Sequence, residues 1–149
     1  AQDIIDSLPQ NMDKYREVVF CGFGEPTYKI DVMSQVGRYV KSKGKKTRVN
    51  TNGQANLVFG EDVTDKLVGA IDKVNVSLNA SNAEEYQRIC HSVFGEKAFD
   101  AMLDFAEECR DKGIDVIMSV VDIIGDKEVA ACRELCEKRG LNLRVRKFE

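Results

Sequence analysis

Five short apolar segments recur along the chain at steps just under 30 residues, with one longer step, and most run into a cluster of glycine, asparagine, serine or threonine. That spacing constrains the fold more than any other feature. The segments cover 18–21, 46–50, 73–78, 115–121 and 141–145, and helical patterns separate them. A strand followed by enough chain for one helix, repeated in this way, is the pattern of a parallel sheet, because parallel neighbours need a crossover connection of about a dozen residues or more. The first segment, Val18-Val19-Phe20-Cys21, has no polar alternation and reads as a strand covered by helices on both faces, with Cys21 buried.

Between the strands, spacing of i, i+3, i+4 marks the helices. Asp31 is placed to cap a helix whose inward face is Val32, Val36, Tyr39 and Val40, and Gly44 stops it. Val63, Leu67 and Ile71 form the next face, Ala98, Met102, Phe105 and Cys109 a third, and Val129, Cys132, Leu135 and Cys136 a fourth. Gly113 and Gly140 end the last two, and the long step leaves room for an extra short helix over 83–89. The fold class is therefore α/β, one domain over 1–149 with about five parallel strands, closing into a barrel arc or opening into a doubly wound sheet.

A chain of 149 residues, 43% hydrophobic and 32% charged, is enough for a single globular domain with its own core. Net charge of −3 argues against a nucleic-acid partner held by bulk electrostatics. No apolar run approaches the roughly 18 residues of a membrane span, and the expected location is the cytoplasm. Five cysteines, an odd number, read as reduced thiols and not as a disulfide framework.

Barrels and doubly wound sheets both place function at the C-terminal ends of their strands. The polar clusters at 22–27, 50–53, 77–81 and 119–122 fall there. Gly22 and Gly24 admit a ligand close to the backbone, and Pro26 holds Glu25 extended so that its carboxylate projects from the strand end, suited to an ammonium group. Thr51, Asn52, Ser77 and Asn79 supply neutral donors and acceptors, and Arg88 supplies a fork for a carboxylate. Together they suit a zwitterionic or ribose-bearing ligand. Cys132 and Cys136 share an apolar face with Val129 and Leu135 and are read as core thiols, and His91, the only histidine, has no evident catalytic partner. Walker and dinucleotide fingerprints are absent, since Gly22-Phe23-Gly24 leads into Glu25-Pro26 and not into a helix carrying Lys or a third Gly.

These residues resemble the core of the radical S-adenosylmethionine (radical SAM) superfamily. Gly22-Phe23-Gly24-Glu25-Pro26 resembles its GGE motif, Thr51-Asn52-Gly53 the TNG that often follows the next strand, and Ser77-Leu78-Asn79-Ala80 with Tyr86-Gln87-Arg88 the segments after that. More narrowly, the set is similar to the TatD-associated radical SAM proteins. The resemblance implies a partial (β/α)6 barrel in which the backbone of Gly22, Phe23, Gly24 and Glu25 binds the methionine ammonium of S-adenosylmethionine. It further implies that Ser77 or Asn79, with Thr51 or Asn52, contacts ribose or carboxylate, that Arg88 takes a carboxylate, and that Val121 and the segment 146–148 flank the adenine.

The superfamily holds a [4Fe–4S] cluster on a CxxxCxxC loop, and no such run occurs among the 149 residues. The resemblance then implies a truncated core without the first βα unit, whose parent reductively cleaves S-adenosylmethionine to a 5′-deoxyadenosyl radical while this chain is itself inactive. Its partners would be the small-molecule cofactor and an undefined substrate, with dimerisation through the edge that truncation exposes as a further expectation. A non-catalytic flavodoxin-like or nucleotide-binding module is the alternative reading. Strand order separates the two, because a doubly wound sheet reverses direction at its first strand and a barrel arc does not.

Overall fold

The computed structural model of the chain describes residues 1–9, 15–21 and 24–148. Five strands, β1 (Glu17–Phe20), β2 (Lys46–Thr51), β3 (Lys73–Ser77), β4 (Asp115–Val121) and β5 (Asn142–Arg146), form one sheet in the order β1-β2-β3-β4-β5. All four pairings are parallel. Sequential order without reversal is that of a barrel arc, and it overturns the flavodoxin-like alternative. The helices are α1 (Gln2–Ser7), α2 (Ile30–Ser42), α3 (Ala55–Phe59), α4 (Ala83–Cys90), α5 (Lys97–Asp111) and α6 (Asp126–Arg139).

One face of the sheet carries the core. Val49, Val74, Val76, Met118 and Val120 are at most 1% exposed and pack with Met102, Phe105 and Cys109 of α5 and Cys132 and Cys136 of α6. The expected stripes of α5 and α6 are thus the faces that meet the strands. Burial of each large side chain contributes about 1.5–3 kcal/mol, so α5, with seven buried positions, anchors the sheet. Burial also pushes the thiols of Cys109 and Cys132 up to about 12 and that of Cys136 up to about 11, as suits core residues.

Residues of the opposite face, among them Arg48, Asn50, Asn75 and Ser77, are only half-buried. Among the described residues no helix packs on that side. The strand β1 is therefore covered on one face and not on two: Val18 and Phe20 pack on Val36 and Val40 of α2, whereas Cys21, expected to be buried, is exposed. An apolar run cannot distinguish two covering layers from one layer at a sheet edge.

Two helical expectations also change. Pro26 begins a 3-10 turn over Pro26–Lys29 directly ahead of α2; Glu25 caps that turn by accepting from the Thr27 amide, α2 itself starts after Lys29 without a side-chain cap, and Asp31 lies inside its first turn. Val63, Leu67 and Ile71 are buried, yet the segment between Gly60 and Gly69, both at positive φ, accommodates only a 3-10 turn at Thr64–Leu67. Sequence spacing did not reveal α3. The five strands and the short helix expected over 83–89 start and stop within about a residue of expectation.

At the N-terminal ends of the strands, Asp62 accepts from the Thr64 amide at 2.9 Å and from Lys112 at 3.0 Å. Burial raises the Asp62 carboxyl, but the bonds from Thr64 and Lys112 outweigh it and hold the pKa at about 2, against an ordinary 3.8. A folded pKa below the unfolded one contributes stability that is complete above the unfolded value and lost as pH falls through the folded value. Wild-type protein should therefore exceed Asp62→Asn in urea stability at neutral pH, with the gap closing as pH falls from about 4 to about 2. A gap that stays constant over that range would show that the carboxylate charge contributes nothing.

Candidate functional site

The polar strand ends meet around Glu25. Its Oε2 accepts from the Thr27 amide (3.1 Å), the Thr27 hydroxyl and the Thr51 hydroxyl (2.5 Å), and its Oε1 accepts from the Asn52 amide at 2.7 Å. The carboxylate does not project freely, as expected from sequence, but bolts the end of β1 to the end of β2. Oε1, with one bond from Asn52, keeps a lone pair for an external donor. Gly24 stands beside it at φ +86°, while Gly22 and Phe23 lie outside the described residues.

The Thr51-Asn52-Gly53 turn is fixed from three sides. Gly53 donates to Thr51 Oγ1 at 3.1 Å and the Gln54 amide to Asn52 Oδ1 at 2.9 Å. Gly53 has φ +74°, and a Cβ there would meet Met102 Cγ at 2.9 Å, so both conformation and space require glycine. Beneath the turn, buried Tyr86 receives a hydrogen bond from Gln54 Nε2 (3.0 Å) and donates to the Asn52 carbonyl (3.4 Å). Burial pushes the Tyr86 phenol above its ordinary pKa despite the bond from Gln54, so it stays a donor at any physiological pH. Thr27, Gln54 and Tyr86 escaped sequence reasoning as site residues. All three stand in or beside the motifs, but nothing local marks Gln54 and Tyr86 as partners across 32 residues.

At the next strand end, Ser77 lies on the helix-free face and Asn79 adopts φ +67°, donating from Nδ2 to Cys90 Sγ at 3.2 Å. Asn79 and Arg88 line one cleft of about 350 Å³ with Ala80, Ile124 and Glu128. Arg88, read from sequence as free to take a carboxylate, is exposed and forks onto Glu85 of its own helix at 2.7 and 3.0 Å. Any external carboxylate must compete with Glu85. Val121 lines a second cleft, of about 490 Å³, with Arg144, Arg146 and Phe148, and a third, of about 520 Å³, opens beside Glu25 between Cys21, Tyr28 and Met33. Glu25, Asn79 with Arg88, and Val121 thus line three separate clefts and not one pocket, and Thr51, Asn52 and Ser77 line none of the three.

Among the described residues no three His, Cys, Asp or Glu side chains group to hold a metal ion. Cys21 is exposed at a strand end, Cys90 is half-buried, and Cys109, Cys132 and Cys136 are buried in the core. An iron–sulfur cluster needing three thiolates does not fit them. His91 is the left-handed cap residue of α4, at φ +51°. No helix among the described residues is long and apolar enough to cross a membrane.

The Radical SAM superfamily profile matches residues 2–136. The chain belongs to the radical SAM superfamily. Crystal structures of Streptococcus suis SuiB superpose on it with a TM-score of 0.64 at 16% identity, over 89% of this chain. Those structures include SuiB bound to S-adenosylmethionine and SuiB bound to its precursor peptide SuiA. At that identity the likeness is one of fold, and this chain spans only 28–29% of the length of SuiB. No curated protein matches in sequence. A radical SAM barrel arc accounts for the sequential strand order and for helices gathered on one face.

Proposed function

We propose that this chain supplies the S-adenosylmethionine-holding strand ends of a radical SAM enzyme, with the cluster thiolates provided by residues outside 1–149. The supporting observation is the Glu25 hub, whose Oε1 accepts only from Asn52 and so keeps a lone pair for a ligand, and which fixes the Asn52 turn beside it. In this reading Glu25 and the backbone of Gly22 to Gly24 accept the methionine ammonium. Asn52, Ser77 and Asn79 orient ribose or carboxylate, and Val121 with Phe148 bounds the adenine. Arg88 serves as carboxylate partner once it leaves Glu85. Bound S-adenosylmethionine supplies a 5′-deoxyadenosyl radical when an electron reaches it; the residues described bind and orient it, and none delivers that electron. The TatD-associated branch of the superfamily is the narrower assignment we favour, on the motifs at 20–27 and 50–57.

The test is a titration of isotope-labelled protein with S-adenosylmethionine, followed by NMR. Saturable shifts of the Asn52, Ser77 and Asn79 amides are expected, with weak affinity because the cluster's share of the anchoring is missing. Unmoved strand-end signals at saturating cofactor would overturn the reading.

A further inference from the structure

The helix-free face of the sheet is largely polar, interrupted by Val19, Ile117 and Val121. Parallel register sets it in layers: Arg48 beside Lys73 and Asp115, Asn50 beside Asn75, and Ser77 beside Ser119 and Arg144, with Val121 beside Arg146 above. These side chains do not satisfy one another. Asn50 Oδ1, Asn75 Oδ1 and Arg48 Nε are buried with no hydrogen-bond partner among the described residues, a state that carries a desolvation cost for each group. Valines at the same heights on the other face, Val49 and Val76, avoid that cost entirely. A layer built only for packing would be apolar on both sides.

Charge divides this face into two ends. Near the strand starts Arg48 pairs with Glu17 at 3.7 Å, and the register sets Asp115 opposite Lys73. Near the strand ends Arg144 and Arg146 have no carboxylate within ion-pair distance among the described residues; the nearest acid in sequence on β4's end, Asp122, accepts instead from the Phe148 amide at 2.9 Å. Beside Arg144 lies the Ser119 hydroxyl, with Ser77 one strand further on, and Ser119 Oγ makes only a long contact, 3.5 Å, to the Val76 carbonyl. The layer Ser77-Ser119-Arg144 therefore offers donors and no acidic group, in a chain whose net charge is −3. We infer that Arg144, with Ser119 beside it and Arg146 above, binds an oxyanion, carboxylate or phosphate, carried by a polar substrate that enters the helix-free face. Naming the occupant a substrate rests on the proposed function above; the oxyanion site does not.

The experiment is an NMR titration of the whole chain with sodium acetate, inorganic phosphate and neutral acetamide, reading the arginine Nε–Hε and serine amide signals. One anion should shift Arg144 and Ser119 saturably, acetate identifying a carboxylate and phosphate a phosphoryl group, while acetamide leaves them in place. Arg144→Gln should weaken that binding at least about tenfold. Equal shifts at Arg133, or no saturable shift with either anion, would overturn the inference. A parallel titration with S-adenosylmethionine keeps the two readings apart. If it moves Asn52 and Asn79 and its affinity survives Arg144→Gln, both stand. If it moves nothing while the anion binds, the cofactor reading fails alone. If its affinity collapses in Arg144→Gln, the arginine serves the cofactor and the inference fails.

Discussion

Glu25→Ala is expected to lower the free energy of unfolding by about 3 kcal/mol, because one carboxylate accepts four hydrogen bonds and its loss strands buried donors. Thr27 and Thr51 are 0% and 3% exposed, so their hydroxyls have little access to water once the acceptor is gone. Their mutual contact at 3.4 Å recovers part of the loss and keeps the figure below the sum of four bonds. Glu25→Gln should cost only about 1 kcal/mol, since its amide oxygen can face the Asn52 amide and its NH₂ can donate to threonine hydroxyls that rotate to accept. Denaturant unfolding of both variants measures the pair. If alanine costs no more than glutamine, Glu25 is not the bolt between β1 and β2. In the proposed function, both variants also lose affinity for S-adenosylmethionine, because neither presents a carboxylate to an ammonium.

The second large effect is expected at Tyr86. The side chain is 0% exposed and its ring meets Phe99 edge-on at 5.6 Å, so Tyr86→Ala leaves a cavity and should cost about 4 kcal/mol. Tyr86→Phe keeps the ring and removes only the hydroxyl, leaving Gln54 Nε2 without its acceptor, at a cost of about 1–2 kcal/mol. Loss of the bond to the Asn52 carbonyl should also shift the Asn52 and Gly53 amide resonances in Tyr86→Phe. Equal losses in the two variants would show that the hydroxyl, not the ring, carries the stability; unmoved Asn52 and Gly53 signals would show that Tyr86 does not position the turn.

Much of the fold was legible because each strand and helix writes its own period. The stripe Ala98, Met102, Phe105, Cys109 is a helix face wherever the helix sits, and all four residues are buried. Polar residues after each strand were legible for the same local reason, since a parallel strand ends where its apolar run ends. What failed was whatever depends on which partner a side chain meets in the folded chain, near or far in sequence. Cys21 reads as buried from its neighbours, yet it lies at the end of an edge strand. Arg88 looks free until Glu85 takes it, and Glu25 looks free until Thr51 and Asn52, 26 and 27 residues away, turn toward it.

The sequence by itself determined the alternation of strands and helices, the residues gathered at strand ends and the motifs that place the chain beside the radical SAM superfamily. Only the tertiary structure decided that the strands follow one another without reversal, that every described helix lies on one face, and that a polar, cation-rich face is left on the other. The reason is physical. Periodicity reports which side of its own element a residue occupies, whereas pairing between strands fixes which side of the molecule that becomes.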